Sequence, residues 1–207
     1  MRWIGGGSGA GKSTIARRLA GARGAILYDT DDAMSRHIGR LDEQSAPQLH
    51  RFLAMTMDER WVERSAAEML ESFHWFAGEG FDLVVEDLVA QSQHGAVVAE
   101  GFRLLPTMVA PLLDDVGDAV WLLPTPEFRR IAFENRRSLW TIAGKTTDPQ
   151  RALDNLLERD RLFTDRVRGE TAALGLTAIE VDVGDTEDEI YALVAERLRP
   201  SATASAG

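Results

Sequence analysis

The chain has 207 residues, of which 44% are hydrophobic and 27% charged, an ordinary balance for one soluble domain with a sizeable core. Its formal net charge of −10 argues against general nucleic-acid binding, which relies on a basic surface, and the absence of cysteine excludes disulfides and thiolate chemistry. No apolar run approaches the roughly 20 residues of a membrane span. Because the first predicted strand starts at the first residue, we expect no signal peptide and a cytoplasmic protein. The expected oligomeric state is a monomer or a homodimer.

The first predicted element is a short buried strand over residues 1–4, followed directly by Gly-Gly-Gly-Ser-Gly-Ala-Gly-Lys-Ser-Thr at residues 5–14. This stretch contains the motif G-x-x-x-x-G-K-S from Gly6 to Ser13, and the apolar residues after it have helical spacing. Glycines allow the backbone to turn its N–H groups around phosphate oxygens, and a helix N-terminus adds positive charge at the same place. Strand, loop and helix in this order predict a phosphate-binding loop rather than a flexible turn with an accidental lysine.

The residues of this loop predict ATP and Mg²⁺ as the groups that it binds. Lys12 is expected to reach the β- and γ-phosphates and to stabilise the transferred phosphoryl group, while the Ser13 hydroxyl is expected to bind Mg²⁺. The other expected nucleotide contacts come from the loop and the start of its helix, namely Gly6, Ser8, Gly9, Ala10, Gly11 and Thr14.

A second short strand at residues 24–29 runs into the sequence Tyr-Asp-Thr-Asp-Asp, with a short helix predicted directly after it. Three carboxylates within four residues repel one another, so they are more easily explained beside Mg²⁺ or polar hydroxyls. We expect Asp29 to hold the metal through water, Asp31 to accept the proton of an acceptor hydroxyl or to bind its hydroxyls, and Asp32 to contact the acceptor. Helix capping by Thr30 or Asp31 is a compatible alternative.

A polar connection leads to a helical segment at residues 47–77, predicted in two pieces and ended by Gly-Glu-Gly at 78–80. Residues 81–90 fit either a strand or a helix, and we favour the helix because their apolar residues trace one helix face. The whole stretch 47–90 is interpreted as a helical acceptor-binding region.

Two kinds of residue in this region are candidates for contact with the acceptor. Arg60 and Arg64 lie one helical turn apart and are candidates to bind an anionic group. Trp61 and Trp75 could line the acceptor pocket, although core packing is the more usual role of an aromatic residue at helical spacing.

The third predicted strand, at residues 96–101, is apolar and ends in an acid and a glycine. Glu100 at this end is expected to anchor Mg²⁺ through a water molecule, and an ordinary loop acid is the alternative. Glu86 and Asp87 would compete for this role only if residues 81–90 formed a strand.

The rest of the chain alternates predicted helices and strands. They are a short helix at 106–113, a strand at 119–123, a helix beginning at Thr125-Pro126, a long helix from Asp148-Pro149 to Leu174, a strand at 176–182 and a last helix behind the capping box at 186–189. A disordered tail is predicted at 201–207, after a single domain at 1–200.

Ten of the 23 basic residues lie within residues 128–168, a concentration typical of an anion site on an otherwise acidic protein. Residues 138–148 are interpreted as a lid, because a closing lid that carries arginine would clamp phosphates and exclude water. Arg136 is the candidate to stabilise the transferred phosphoryl group, with Arg130 and Arg137 as nucleotide contacts. Surface salt bridges are the alternative for each arginine.

Five short buried strands separated by helices predict an α/β fold with a parallel sheet and helices on both faces. Ligands of such sheets bind beyond the carboxyl ends of the strands. The glycine-rich loop, Asp29 and Glu100 all lie at such ends, so we expect three separated segments to form one site.

Residues 6–14, together with Leu-Tyr-Asp-Thr-Asp at 27–31, resemble the P-loop kinases of small molecules. The closest resemblance is to the shikimate kinase and gluconate kinase group, with the nucleoside monophosphate kinases as relatives. The resemblance implies a P-loop NTPase fold with a helical acceptor-binding insert and a lid. It also implies that Asp29 lies near Mg²⁺ and that Asp31 holds or deprotonates the acceptor.

The resemblance extends more weakly to two later places in the chain. Val-Ala-Glu-Gly-Phe-Arg at residues 98–103 is similar to the acid-glycine strand end of nucleotide kinases, and Arg136 and Arg137 stand where the family places lid arginines. Glu-Gly-Phe at 100–102 differs from the Gly-Gly-Gly that shikimate kinases carry after this strand. It also differs from the Asp-Gly and proline-arginine pair usual in monophosphate kinases.

The expected function is an Mg²⁺- and ATP-dependent kinase that phosphorylates a hydroxyl of a small molecule such as a sugar, a cyclitol or an antibiotic-like metabolite. A nucleoside or nucleoside monophosphate kinase is the alternative in the same class, and it would gain if Arg60 and Arg64 faced the pocket. A nucleotide-binding regulatory NTPase is the alternative from another class, although the sequence has no guanine-reading Asn-Lys-x-Asp motif. No nucleic-acid or membrane partner is expected.

Overall fold

The computed structural model describes residues 1–136 and 138–199, with the backbone alone for 133–136 and 138–140. Its centre is one sheet of five parallel strands in the order β2-β3-β1-β4-β5. The strands are β1 (Arg2–Gly6), β2 (Ile26–Asp29), β3 (Val97–Glu100), β4 (Ala119–Pro124) and β5 (Thr177–Val181). The predicted α/β architecture with a five-stranded parallel sheet is confirmed, whereas the tail predicted at 201–207 lies outside the described residues.

Helices connect the strands and cover the sheet. In the described residues they are α1 (Lys12–Arg23), α2 (Thr30–Ile38), α3 (Pro47–Ala54), α4 (Met57–Trp61), α5 (Ala66–Ser72), α6 (Phe81–Ser92), α7 (Pro106–Val109), α8 (Pro126–Arg136), α9 (Ser138–Ala143), α10 (Pro149–Ala173) and α11 (Glu187–Arg197). None of these helices is both long and apolar enough to cross a membrane.

The helical region between β2 and β3 differs in part from the prediction. Residues 81–90 are helical, within α6, as their apolar face predicted. The prediction of two helical pieces over 47–77 was wrong, because α3, α4 and α5 all lie in this segment. Thr56 and Ser65 each begin a new helix through a capping box with the glutamate three residues later. These two caps divide the segment that hydrophobic spacing alone could not divide.

Hydrophobic residues of the strands alternate between the two faces of the sheet. Trp3 and Trp121 belong to a core with side chains of α6, α7 and α10, whereas Ile4 and Leu122 belong to a second core with side chains of α1 and α11. Because successive strand residues point to opposite faces, β1, β2, β3 and β4 contribute to both cores, whereas β5 contributes Ile179 and Val181 to the second. Helices therefore lie on both faces of the sheet, as expected.

A third hydrophobic cluster joins the helical region to the predicted lid. Trp61 of α4 and Met69 of α5 pack with Ala143 at the end of α9 and with Leu156 of α10. Next to this cluster, the Thr147 backbone and hydroxyl both donate to the carboxylate of Asp58 on α4. The segment predicted as a lid thus rests against α4.

The register of the sheet brings several carboxyl ends together. Asp29 at the end of β2 is the Cα partner of Glu100 at the end of β3, and Glu100 is in turn the partner of Ile4 on β1. The glycine-rich loop begins at the end of β1. Three segments that the sequence placed at strand ends therefore meet at one edge of the sheet.

Candidate functional site

The glycine-rich loop between β1 and α1 is shaped for close contact with an anion. Gly6 has φ of 124°, and a Cβ there would overlap the backbone of Leu122 on β4. Gly11 is the N-cap of α1 and provides no side-chain cap, so the N–H groups of the first turn remain available at the positive end of a 12-residue helix. The other predicted nucleotide contacts lie in this loop or in the first turn of α1: Ser8, Gly9, Ala10, Lys12, Ser13 and Thr14.

The side chain of Lys12 folds back onto the glycine-rich loop that precedes it. Its side chain is buried, and its ammonium group donates a hydrogen bond of 2.8 Å to the carbonyl oxygen of Gly7. The same charge acts on the carboxylates of Asp31 and Glu100, where it opposes the increase in pKa that burial causes. The charge of Lys12 therefore acts on acidic side chains from two separate segments of the chain.

Glu100 is the most unusual carboxylate of the site. It is only 2% exposed, and its Oε1 atom has no hydrogen-bond partner among the described residues. Burial raises the pKa of this carboxyl to about 7, although a hydrogen bond from the Ser13 hydroxyl and the charge of Lys12 act in the opposite direction. An unpartnered buried carboxylate oxygen beside a serine hydroxyl is the arrangement that a divalent cation would satisfy.

The acidic turn after β2 is held against the end of β3. The Asp29 carboxylate accepts a 2.7 Å hydrogen bond from the backbone of Asp31 and so caps α2, a role that the sequence had offered to Thr30 or Asp31. Behind this turn, Gly101 has φ of 140°, and a Cβ there would overlap the Thr30 hydroxyl. This close approach fixes Asp29 and Asp31 beside Glu100.

Asp31 and Asp32 differ in their surroundings although both are solvent-exposed on α2. Surrounding protein atoms raise the pKa of Asp31, the Lys12 charge opposes this increase, and the Asp29 charge adds to it. Neither Asp31 nor Asp32 is among the described residues that line the cavity formed by α2, α3 and the connection after α5, so the structure does not bring either predicted acceptor contact onto its wall.

A metal ion at this site would need ligands beyond the side chains of the described residues. Within the described parts of the chain, no group of three or more His, Cys, Asp or Glu residues could hold a metal ion by itself. Mg²⁺ is commonly bound by one or two protein groups together with substrate phosphates and water. Ser13, Glu100 and Asp29 fit that kind of site, in which the phosphates complete the coordination.

A cavity of about 400 Å³, called the large cavity below, opens beside the loop on the side of α2 and α3. Its walls are mainly aromatic and aliphatic side chains. The described lining residues are Ser8, Met34, Ser35, Ile38, Leu49, Phe52, Leu53, Trp61, Phe73, His74, Trp75, Phe76, Phe102, Ile142 and Arg159. The cavity therefore touches the glycine-rich loop at Ser8 and the helix that carries Asp31 at Met34 and Ser35.

The structure separates two pairs of residues that the sequence placed at the acceptor. Trp61 and Trp75 line this cavity and are also buried, so each contributes both to the hydrophobic core and to the cavity wall. Arg60 and Arg64 are not among its described lining residues. Their guanidinium groups donate instead to backbone carbonyls, those of Phe52 and Leu53 for Arg60 and those of Glu59 and Arg60 for Arg64. Carbonyls left unpaired at helix ends have bound both arginines.

Among the α8 arginines whose side chains are described, Arg129 is buried and Arg130 is exposed. Arg129 is 4% exposed; its Nη2 donates to Thr164 Oγ1 at 2.7 Å, and its Nε has no partner in the described structure. A Cβ on Gly7 would lie against the same Thr164 oxygen, so Arg129 reaches the back of the glycine-rich loop. Arg130 is exposed, whereas the side chain of Arg136 and all of Arg137 lie outside the described residues.

A second, smaller cavity of about 150 Å³ borders the loop through Ala10, Gly11 and Thr14. Its other walls come from the start of α8 and from the connection that leads into α11. The described residues on those walls are Ile15, Phe128, Asp185, Glu187 and Ile190. The loop therefore lies between two cavities of different character.

Arg103 is a site residue for which the sequence pattern predicted no role. It is 2% exposed, lies 4.0 Å above the ring of Trp75, and donates to His37 Nδ1 at 2.9 Å and to the Gly80 carbonyl at 3.0 Å. Burial lowers its pKa to about 10, so it stays charged at neutral pH, and its charge acts on Asp31. Its position three residues after Glu100, directly beyond the end of β3, was the sequence signal that could have placed it at the site.

No protein-family model matches this chain, and no curated protein is significantly similar to it. A function for the chain is therefore inferred from the residues of the site themselves.

Proposed function

We propose that this chain is a P-loop kinase that transfers the γ-phosphoryl group of ATP to a hydroxyl of a small molecule, with Mg²⁺ as cofactor. The observation that carries the proposal is that the glycine-rich loop with Lys12 lies at the same edge of the sheet as Asp29 and Glu100, which end neighbouring strands. Phosphoryl transfer needs a phosphate cradle, a metal site, a cation on the moving group and a base for the acceptor. Each requirement has a matching group at this one edge of the sheet.

The nucleotide side uses the loop and the start of α1. First-turn N–H groups would bind β- and γ-phosphate oxygens, and Lys12 would exchange its bond to the Gly7 carbonyl for one to phosphate. The smaller cavity continues from the loop and offers the ring of Phe128 and the carboxylate of Asp185 to a nucleobase. Ser13 would bind Mg²⁺ directly, with Glu100 and Asp29 acting through water, and the bound ion would neutralise phosphate charge.

The acceptor side requires a base close to the loop. The acceptor oxygen would form a bond to the γ-phosphorus, and the bond from that phosphorus to the bridging oxygen would break, leaving its electron pair on ADP. The hydroxyl proton would pass to Asp31. Its surroundings raise the pKa of Asp31 and so strengthen it as a base, while the nearby charges of Lys12 and Arg103 keep its carboxylate form accessible.

The test is ADP release by the purified protein with Mg²⁺-ATP, measured with sugars, cyclitols, nucleosides, nucleotides and aromatic alcohols. We expect one class of compound to stimulate release, and Asp31→Asn to abolish the stimulation while ATP still binds. Asp154→Asn, an exposed acid on α10, is the matched control and is expected to behave as the unmodified protein. Tight nucleotide binding without stimulation by any compound would favour the regulatory alternative. Stimulation that survives Asp31→Asn would overturn the assignment of the base.

A further inference from the structure

The larger cavity has walls made of aromatic rings. Phe52 contacts Trp61 and Phe73 with ring centroids 5.5 Å apart in both pairs, and His74 lies 4.5 Å from Trp75. These contacts join rings from α3, α4 and the connection after α5 into one continuous surface. Edge-to-face aromatic packing of this kind leaves ring faces and edges available to a further flat ring.

The polar groups of this cavity are few and carry no net charge. Among the described lining residues, Ser8, Ser35, His74 and Arg159 have polar side chains, Trp61 and Trp75 each add one indole N–H donor, and none is acidic. Arg159 is bound to the buried carboxylate of Asp160 through its Nε at 3.0 Å and its Nη2 at 2.7 Å. Its charge is therefore already compensated before any ligand arrives.

His74 is a buried polar side chain within the aromatic wall. It is 2% exposed, and its Nδ1 has no hydrogen-bond partner in the described part of the chain. Burial lowers its pKa to about 4, so the ring is neutral at physiological pH. A neutral imidazole can accept one hydrogen bond and donate another, which suits an uncharged polar group on a ligand.

These features disfavour the polar acceptors that the sequence suggested. A sugar or cyclitol would bury several hydroxyls against aromatic walls with too few partners, and each unpaired polar group costs about 1–3 kcal/mol. A nucleoside monophosphate would need an uncompensated cation on the cavity wall, whereas Arg159 is paired with Asp160. The other nearby arginines, Arg60, Arg64 and Arg103, are not among the described lining residues.

We propose that the acceptor is a neutral aromatic alcohol, whose ring lies between Phe52, Phe73 and Trp75 and whose hydroxyl points toward the loop and Asp31. This inference rests on the proposed kinase function and names its substrate class. Cavities of a few hundred Å³ are typical of sites for small organic molecules. His74 supplies a single hydrogen bond to an uncharged polar group of the acceptor, and the remaining contacts are apolar.

The first test measures binding without any reaction. N-phenyl-1-naphthylamine, a neutral fluorescent probe, is added to the full-length protein and then displaced by competitors. We expect aryl alcohols such as 2-phenylethanol and 4-nitrobenzyl alcohol to displace it, and inositol, glucose and uridine monophosphate to leave it bound. Displacement by the polar compounds alone would overturn the proposal.

The second test narrows the cavity at its mouth. Ser35 lines the cavity and is exposed on α2, so Ser35→Phe adds a ring without disturbing the core. We expect probe affinity to fall about tenfold, because a filled site cannot accept a second ring. Ser92→Phe makes the same change at the exposed end of α6, and its affinity is expected to stay within about twofold. Equal affinity in the two variants would overturn the assignment of this cavity.

The third test separates this inference from the proposed function. Mg²⁺-ATP binding is followed by thermal shift, and ADP release is measured with the aryl alcohols and with the sugars. Stimulation by aryl alcohols, lost in Ser35→Phe, supports both proposals. Stimulation by sugars or cyclitols in place of aryl alcohols keeps the kinase and overturns the acceptor class. Failure of ATP to bind overturns the kinase, whereas the probe displacement still reports on the cavity.

Discussion

The two sides of the glycine-rich loop are built by different means. On the proposed nucleotide side, the groups that would bind phosphate are backbone N–H groups and one lysine, all within the consecutive residues 6–14. On the proposed acceptor side, the large cavity is assembled from side chains of α2, α3, α4, α9, α10 and the connections after α5 and β3. A backbone site tolerates almost no change in φ, whereas a side-chain cavity can be reshaped one residue at a time.

The largest effect is expected from replacing Lys12, the lysine of the glycine-rich loop. Lys12→Ala removes the cation that is bound to the Gly7 carbonyl and whose charge acts on Asp31 and Glu100. We expect kcat/KM for ADP release to fall about 1,000-fold, the upper range for losing one group that stabilises transition-state charge. Arg197→Ala removes an exposed cation near the end of α11 and is expected to change kcat/KM by less than about twofold. Comparable losses in both variants would contradict the assignment of Lys12.

The next effect is on stability and concerns the contact that fixes the acidic turn. Gly101→Ala forces a side chain into φ of 140° and against the Thr30 hydroxyl, so we expect the free energy of unfolding to fall by about 2–3 kcal/mol. Gly21→Ala in α1 is the matched change, since a Cβ there meets nothing within 4 Å and the residue is helical. It should stabilise by about 0.5–1 kcal/mol. Urea unfolding of both variants measures this difference, and a neutral Gly101→Ala would contradict the contact.

The same contrast explains what the sequence could predict. The loop, Asp29 and Glu100 each follow a strand directly, so a local signal and the geometry of parallel sheets were enough to bring them together. The cavity could not be predicted, because hydrophobic spacing identifies the inner face of a helix but not which inner residues leave a gap. Arg60 and Arg64 had suitable spacing and charge, yet backbone carbonyls of neighbouring helices bind them.

A smaller expected effect depends on pH and on Glu100, the buried acid of the proposed metal site. The pKa of Glu100 is raised from 4.5 to about 7, so its protonated form is favoured in the folded protein. Its contribution to the stability of the nucleotide-free protein is therefore full below about pH 4.5 and is lost as pH rises through 7. Mg²⁺ requires the deprotonated form, and we expect Mg²⁺-dependent ATP affinity to rise up to about tenfold between pH 6 and 8.

Glu100→Gln provides the control for this pH dependence. The amide has nearly the same shape but cannot titrate, so the Mg²⁺-dependent affinity should be weak and flat across the same range. Isothermal titration of ATP with and without Mg²⁺ at three pH values measures both proteins. If the Mg²⁺-dependent affinity for ATP rose equally with pH in the variant, a group other than Glu100 would be responsible for the pH dependence.

The smallest expected effect compares the two cavities directly with one matched substitution. Phe52 lines the larger cavity and Phe128 the smaller one, and both rings are half-buried. Replacing either with leucine keeps the apolar character but removes ring contacts worth about 0.5–1.5 kcal/mol, a change of about two- to tenfold in affinity. We expect Phe52→Leu to raise KM for the acceptor while KM for ATP stays constant, and Phe128→Leu to do the reverse. Steady-state kinetics with each substrate varied in turn separates the two effects. If Phe52→Leu raised KM for ATP instead, the larger cavity would have to be assigned to the nucleotide, and the contrast between a backbone site and a side-chain site would fail.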